Sequence, residues 1–176
     1  MHGAGNDYVV IDARSEHREW APVARDLLDR HFGIGGDGLL LVEHSKMADV
    51  RMRMLNPDGS EAEMCGNGIR CFSKFVIEGN ILPNIDGALQ VETGAGVLNV
   101  EPITDIAGQI TRARVSMGEP IFDADQIPVI VPRQAANKNT KNLSLDGLDA
   151  GKLVVECPIT VDDYTFNVTC VSMGNP

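Results

Sequence analysis

Cys65 stands directly ahead of Gly66-Asn67-Gly68-Ile69-Arg70-Cys71, so a thiol is followed by two glycines and by the start of an amphipathic segment. Ile69, Phe72, Phe75 and Val76 keep a helical apolar rhythm, and Gly79 supplies a stop. That spacing puts Cys65 at or beside a helix N-cap, where unpaired backbone N–H groups and the positive end of the helix dipole favour a thiolate. Gly66 and Gly68 let the backbone approach an anion such as a carboxylate, which the same N–H groups would hold. The ordinary alternative is a small buried residue next to a tight turn. The two glycines and the helix start outweigh it here, and Cys65 is the candidate nucleophile or base.

Four asparagines sit in turns beside glycine or proline: Asn6 in Gly5-Asn6-Asp7, Asn56 in Asn56-Pro57-Asp58-Gly59, Asn67 in Gly66-Asn67-Gly68, and Asn175 in Gly174-Asn175-Pro176. Turn asparagines usually stabilise their own turns. Four of them near one thiol could instead offer donors and acceptors to a ligand carrying ammonium and carboxylate groups, and spacing alone leaves both readings open. Gly33-Ile34-Gly35-Gly36-Asp37-Gly38 satisfies a dinucleotide-binding pattern, but it follows a helix and precedes a strand, the reverse of what that site requires. It reads as a helix C-cap and a close-backed loop, with Asp37 stabilising the turn. His2, His17, His31 and His44 have no ligand spacing with cysteines or carboxylates, so no metal site is expected. Cys71 falls on a different face of the helix from Cys65, near Phe75, and Cys157 and Cys170 continue the apolar alternation of strands; all three read as core.

The elements that must carry these residues follow from periodicity. Tyr8 to Ile11 reads as a strand. A helix follows with Pro22 in its first turn, Val23/Ala24, Leu27/Leu28 and His31/Phe32 on one face, and Gly33 as its stop. Leu39 to Val42 is a buried strand, and Val50, Met52 and Met54 alternate with Arg51 and Arg53 in a half-exposed one. After the Cys65 helix come strands over Leu89 to Thr93 and Val97 to Glu101, joined across Gly94-Ala95-Gly96, and a third over Thr111 to Met117. The sum is an α+β unit, a sheet wrapped on a helix, over residues 1–117. Gly118-Glu119-Pro120 opens a second, incomplete unit over 118–176, with a surface loop from Arg133 to Asn142 and a closing hairpin, Leu153 to Val161 and Tyr164 to Cys170.

The chain has 176 residues, of which 43% are hydrophobic and 23% charged, as in globular proteins with a real core. Its net charge of −10 argues against nucleic acid or an anionic membrane surface as partner. No run approaches a membrane span and no leader is evident, so a cytoplasmic protein with reduced thiols is expected.

Taken in order, Met1-His2-Gly3-Ala4-Gly5-Asn6-Asp7-Tyr8, the Gly33 to Gly38 loop, Asn56-Pro57-Asp58-Gly59-Ser60, Cys65 to Cys71 and Ser172-Met173-Gly174-Asn175-Pro176 resemble the successive signatures of diaminopimelate epimerase. The related proline racemases share a Cys-Gly pair but typically carry histidine where this chain has Asn67, so Asn67 favours the epimerase. The resemblance implies a cofactor-independent epimerase of lysine synthesis that interconverts LL- and meso-2,6-diaminopimelate with two cysteines as acid and base. It implies two similar halves, each a rolled, mostly antiparallel sheet around a central helix, with a cleft between them. It makes Cys65 one catalytic thiol, and Asn6, Asn56, Gly66, Asn67 and Asn175 substrate-binding residues. A small-molecule substrate is the implied partner, and a homodimer is left open.

At Gly38 some members of that family carry a substrate-contacting glutamine, a role not transferred here. The family also begins a few strand residues before Met1, and the segment bearing its second thiol has no counterpart in this sequence. The expectation is therefore a fragment that lacks one acid/base group and is inactive by itself. Two alternatives remain: a related amino-acid racemase of the same fold, and a module that binds substrate without chemistry.

Overall fold

Strand β2 (Asn6–Asp12) lies beside β3 (Gly38–Glu43), which is buried along almost its whole length. The reason is that both of its faces are covered. Successive strand residues point to opposite sides, so Leu40 and Val42 pack with Ile69, Phe72 and Val76 of the Cys65 helix, whereas Leu39 and Leu41 pack with Trp20, Ala24 and Leu28 of an earlier helix. The protein is described here from a computed structural model, for residues 1–82, 87–127, 129–130 and 153–173. It divides into two compact units, Met1–Met117 and Gly118–Pro176.

The first unit is a mixed, mostly antiparallel sheet. In chain order its strands are β1 (His2–Gly3), β2, β3, β4 (Val50–Leu55), β5 (Glu61–Ala62), β6 (Leu89–Thr93), β7 (Gly96–Thr104) and β8 (Ile110–Val115). Their order across the sheet is β1-β2-β3-β4-β6-β7-β8, with β5 on β4; β2–β3 and β4–β6 are the parallel pairs. On β4, Val50, Met52 and Met54 are buried and Arg51 and Arg53 half-buried, as the alternation requires. Helix α2 (Gly66–Glu78) lies at the centre of the larger core, with Ile69, Cys71, Phe72, Ser73 and Val76 buried. This is the α+β sheet wrapped on a helix expected from the sequence. The additions are the short strands β1 and β5 and the layer formed by α1 (Trp20–Leu28) on the opposite face.

Helix α1 ends one turn earlier than its apolar pattern predicts. Asp29 turns extended (φ −59°, ψ 124°), and its Oδ1 accepts the N–H groups of both His31 and Phe32 at 2.7 Å. A carboxylate that satisfies two backbone donors competes with continued helix. His31 and Phe32 are therefore outside the helix, and Phe32 is 95% exposed. The glycine-rich loop then folds back over the helix end. Ile34 and Gly35 donate to the Leu27 carbonyl at 2.9 and 3.0 Å, and Gly36 to that of Leu28 at 3.3 Å, satisfying carbonyls that have no intrahelical partner. A Cβ at Gly33 would lie 2.2 Å from the Asp26 carbonyl oxygen, so only glycine permits this crossing.

In the second unit, β9 (Cys157–Val161) and β10 (Tyr164–Val168) form the expected hairpin about Asp162-Asp163. The first strand starts at Cys157 rather than Leu153, because Glu156 takes a left-handed conformation (φ 50°). Cys170 lies beyond β10, its N–H donating to the Val154 carbonyl at 2.9 Å, so its place in a strand is not observed. Ile127, Leu153, Val154 and Cys157 are buried. The surface loop expected at Arg133 to Asn142 and the turn bearing Asn175 lie outside the described residues. No helix among the described residues is long and apolar enough to cross a membrane.

Candidate functional site

Cys65 is the N-cap residue of α2, with extended backbone (φ −141°, ψ 118°). Its carbonyl accepts the first helical N–H, from Ile69, at 2.9 Å. The N–H groups of Gly66, Asn67 and Gly68 thus lack an intrahelical acceptor, and no acidic residue occupies this first turn. A half-buried thiol therefore sits beside three backbone donors at the positive end of a thirteen-residue helix. The Cys65 side chain makes no capping bond to its own helix. Its Sγ lies instead 3.1 Å from the Tyr8 hydroxyl of β2.

Tyr8 is 4% exposed, and its ring is fixed by two glycines. A Cβ at Gly38 would stand 3.2 Å from Tyr8 Cδ1, and one at Gly68 would stand 3.5 Å from its Cε1. Burial first, and then the bond to Cys65, push the Tyr8 phenol well above its usual range. A side chain at Gly38 would also meet Met54 Cε at 3.0 Å, so a larger residue there requires this corner to repack.

Beside Cys65 the asparagines form a chain of amides. Asn67 Nδ2 donates to Asn6 Oδ1 at 2.8 Å, and Asn6 Nδ2 donates to Asp37 Oδ2 at 3.1 Å. Arg70 bonds to Asn67 Oδ1 and, through Nε, to the Gly66 carbonyl at 3.2 Å. Asp37 also accepts the Asp7 N–H at 3.0 Å, and Arg30 closes the outer end on Asp7 and Asp37, at 2.8 Å to each. The Arg30 hydrogen bonds hold the Asp7 carboxyl down at about 2. Asp37, expected only to stabilise its own turn, thus ties the start of β2 to the loop before β3 and orients Asn6. An amide nitrogen carries two N–H groups, so Asn6 and Asn67 each use one here and keep one.

The sequence-derived candidates therefore separate. Asn6, Gly66 and Asn67 are brought together at the Cys65 helix start. Asn56 stays within its own turn, its Nδ2 donating to Ser60 Oγ at 3.0 Å, and Asn175 lies outside the described residues. Cys71 is 5% exposed within the core, and burial pushes its thiol up. Tyr8 and Arg70 were not foreseen. Arg70 could have been found at the i+3 position from Asn67, but Tyr8 is 57 residues from Cys65 and had no local signal.

The sequence model for diaminopimelate epimerase matches residues 1–122. Among curated relatives, the diaminopimelate epimerase of Heliobacterium modesticaldum is 42% identical over 180 residues, covering all of this chain and 57% of that protein. The diaminopimelate epimerase of Methanococcus maripaludis strain S2 is 43% identical over 177 residues, covering all of the chain and 56% of its own length. The chain thus spans a little over half the length of these relatives. Among solved structures, a Bacillus anthracis phenazine biosynthesis protein of the PhzF family is 25% identical with a TM-score of 0.54, over 70% of this chain and 39% of that one. A predicted epimerase from Pseudomonas aeruginosa matches with a TM-score of 0.57 at 14% identity, over 97% and 51% of the two chains, a likeness of fold alone.

Proposed function

The chain belongs to the diaminopimelate epimerase family, and from that premise we propose that it takes part in the cofactor-independent conversion of LL- to meso-2,6-diaminopimelate in lysine synthesis, with Cys65 as one of two acid/base thiols. The observation that carries the reading is the placement of the Cys65 sulfur at the N-cap of α2, beside backbone donors and with no acidic residue in the first turn. An amino-acid α-proton is so weakly acidic that a thiolate removes it only if the charge left behind is stabilised as it forms. The N–H groups of Gly66, Asn67 and Gly68 would donate to the substrate carboxylate, so that charge spreading from the α-carbon onto its oxygens meets donors already in place. The spare amide N–H groups of Asn6 and Asn67 suit further polar groups of the substrate. Cys65 takes the proton from one face of the carbon. The thiol that returns a proton on the other face is assigned to no residue of this chain.

The test is incubation of the full-length protein with LL-diaminopimelate in deuterated water, followed by chiral chromatography and mass analysis. Meso product with deuterium at the inverted carbon is expected. Cys65→Ser, nearly isosteric but a far poorer base, should lower the rate by about 10²-fold or more with circular dichroism unchanged. Retention of turnover by that variant would remove Cys65 from the reaction.

A further inference from the structure

The hydroxyl of Tyr8 takes no part in the proposed proton transfer itself, and it touches the sulfur that does. We propose that Tyr8 is a positioning residue for Cys65, its hydroxyl standing as a fixed hydrogen-bond donor that aims the sulfur and steadies the thiolate between proton transfers. This rests on the reading of Cys65 as the base. The geometry has three parts. The oxygen and sulfur are 3.1 Å apart. The ring cannot turn away, because it is buried and flanked by the close backbones of Gly38 and Gly68. The sulfur is free to be aimed, because Cys65 spends no side-chain bond on its own helix.

The direction of the bond follows from the chemistry of the two groups. A neutral thiol and a phenol can each donate to the other. A thiolate can only accept, so once Cys65 gives up its proton the bond must run from the Tyr8 O–H to the sulfur, where it becomes charge-assisted and stronger. Burial and the Cys65 contact keep the phenol protonated, so the donor is present wherever the site works. When Cys65 carries a proton taken from substrate, the same contact weakens to a neutral one. The difference favours the charged state and offsets part of the cost of holding a thiolate in a half-buried place. The other titratable groups acting on Tyr8 are Asp37, ahead of β3, and Cys71, along α2; Arg70 and the Met1 ammonium act on Cys71. Asp37 repels a phenolate, which again leaves the proton on Tyr8.

Tyr8→Phe removes the oxygen and keeps the ring in its slot. The readout is the rate of Cys65 alkylation by iodoacetamide across pH, mapped by mass spectrometry, with Cys71 as internal control. At neutral pH the Cys65 rate should fall about three- to tenfold, the lower figure reflecting the greater intrinsic nucleophilicity of a less stabilised thiolate. Labelling of Cys71 should not change. An unchanged or faster Cys65 rate, or an equal change at Cys71, would overturn the proposal. Should the variant fail to fold, 3-fluorotyrosine at position 8, a more acidic donor in the same slot, decides instead: Cys65 labelling at neutral pH should accelerate, and a rate equal to wild type sinks the idea. Neither assay needs turnover. Loss of the Tyr8 effect with turnover still dependent on Cys65 would refute the positioning role alone, whereas turnover surviving Cys65→Ser would refute the catalytic reading and leave the hydrogen bond standing.

Discussion

The first turn of α2 and the two turns that follow are one helix with two kinds of surroundings. Cys65 and Cys71 carry the same side chain six residues apart, yet Cys65 is half-buried at the helix start against the Tyr8 phenol, while Cys71 is buried next to Gly3 of β1. Burial pushes the Cys71 thiol up and makes it a small apolar residue. Cys65 is half-buried at a helix start whose first backbone N–H groups have no intrahelical acceptor. On the proposed reading reactivity depends on the turn on which a cysteine sits, and the buried turns of α2 hold that first turn in place.

The strongest way to break the comparison is to damage the core half and watch the first turn. Phe72 is fully buried, and Phe72→Ala should cost about 3–5 kcal/mol of stability, read as a large fall in thermal midpoint. If the core only supports the turn, Cys65 in the folded fraction should still be the thiol alkylated first. Exchanging the thiols themselves is the next largest perturbation. Cys71→Ser places a hydroxyl in an apolar setting and should cost about 1–3 kcal/mol, with turnover largely retained by the folded enzyme. Cys65→Ser should leave the thermal midpoint close to wild type while turnover disappears. A pair of variants that lost stability and activity in parallel would mean that the two turns are not separate in function.

How far the sequence reveals this division depends on whether the deciding contact is local. The Cys65 N-cap, the burial of Ile69, Phe72 and Val76, and the alternation in β4 all follow from periods of 3.6 and 2 within a few residues. The end of α1 does not, because the pattern through His31 and Phe32 is overridden by one carboxylate, that of Asp29, bonding two N–H groups. The glycine loop is legible as a non-nucleotide turn but not as the cap of α1, since its partners are carbonyls seven or eight residues back. At the site, Gly66 and Asn67 are neighbours of Cys65 in the chain, whereas Tyr8 and Asn6 meet that first turn through the register in which α2 packs on β2, and Asp37 joins them through Asn6. Short-range patterns carry no information about that register. Asn56, whose turn motif is as clear as that of Asn6, donates its amide to Ser60 within that turn.

The smallest effect concerns the outer brace of the first turn. Arg30, Asp37 and Asn6 form a chain that ends on Asn67, and its surface end is ionic and solvent-exposed. The far end of α2 has an ion pair of its own, Lys74 to Glu78 at 2.7 Å, whose bond holds the Glu78 carboxyl below its ordinary range. Hydrogen bonds from Arg30 hold the Asp7 carboxyl at about 2 against an ordinary 3.8. A depressed carboxylate pKa means that the unfolded chain takes up the proton first, so this contribution is complete above pH 3.8 and disappears as pH falls through about 2. Acidification over that interval should therefore shift the side-chain amide resonances of Asn6 and Asn67 before those of Val76 methyls move. Arg30→Gln should raise the midpoint of the amide shift toward 3.8, and molar salt should do the same in part, because exposed ion pairs are screened. Simultaneous loss of the Asn67 and Val76 signals, unaffected by Arg30→Gln, would show that the first turn melts only with the core and that the brace contributes nothing of its own.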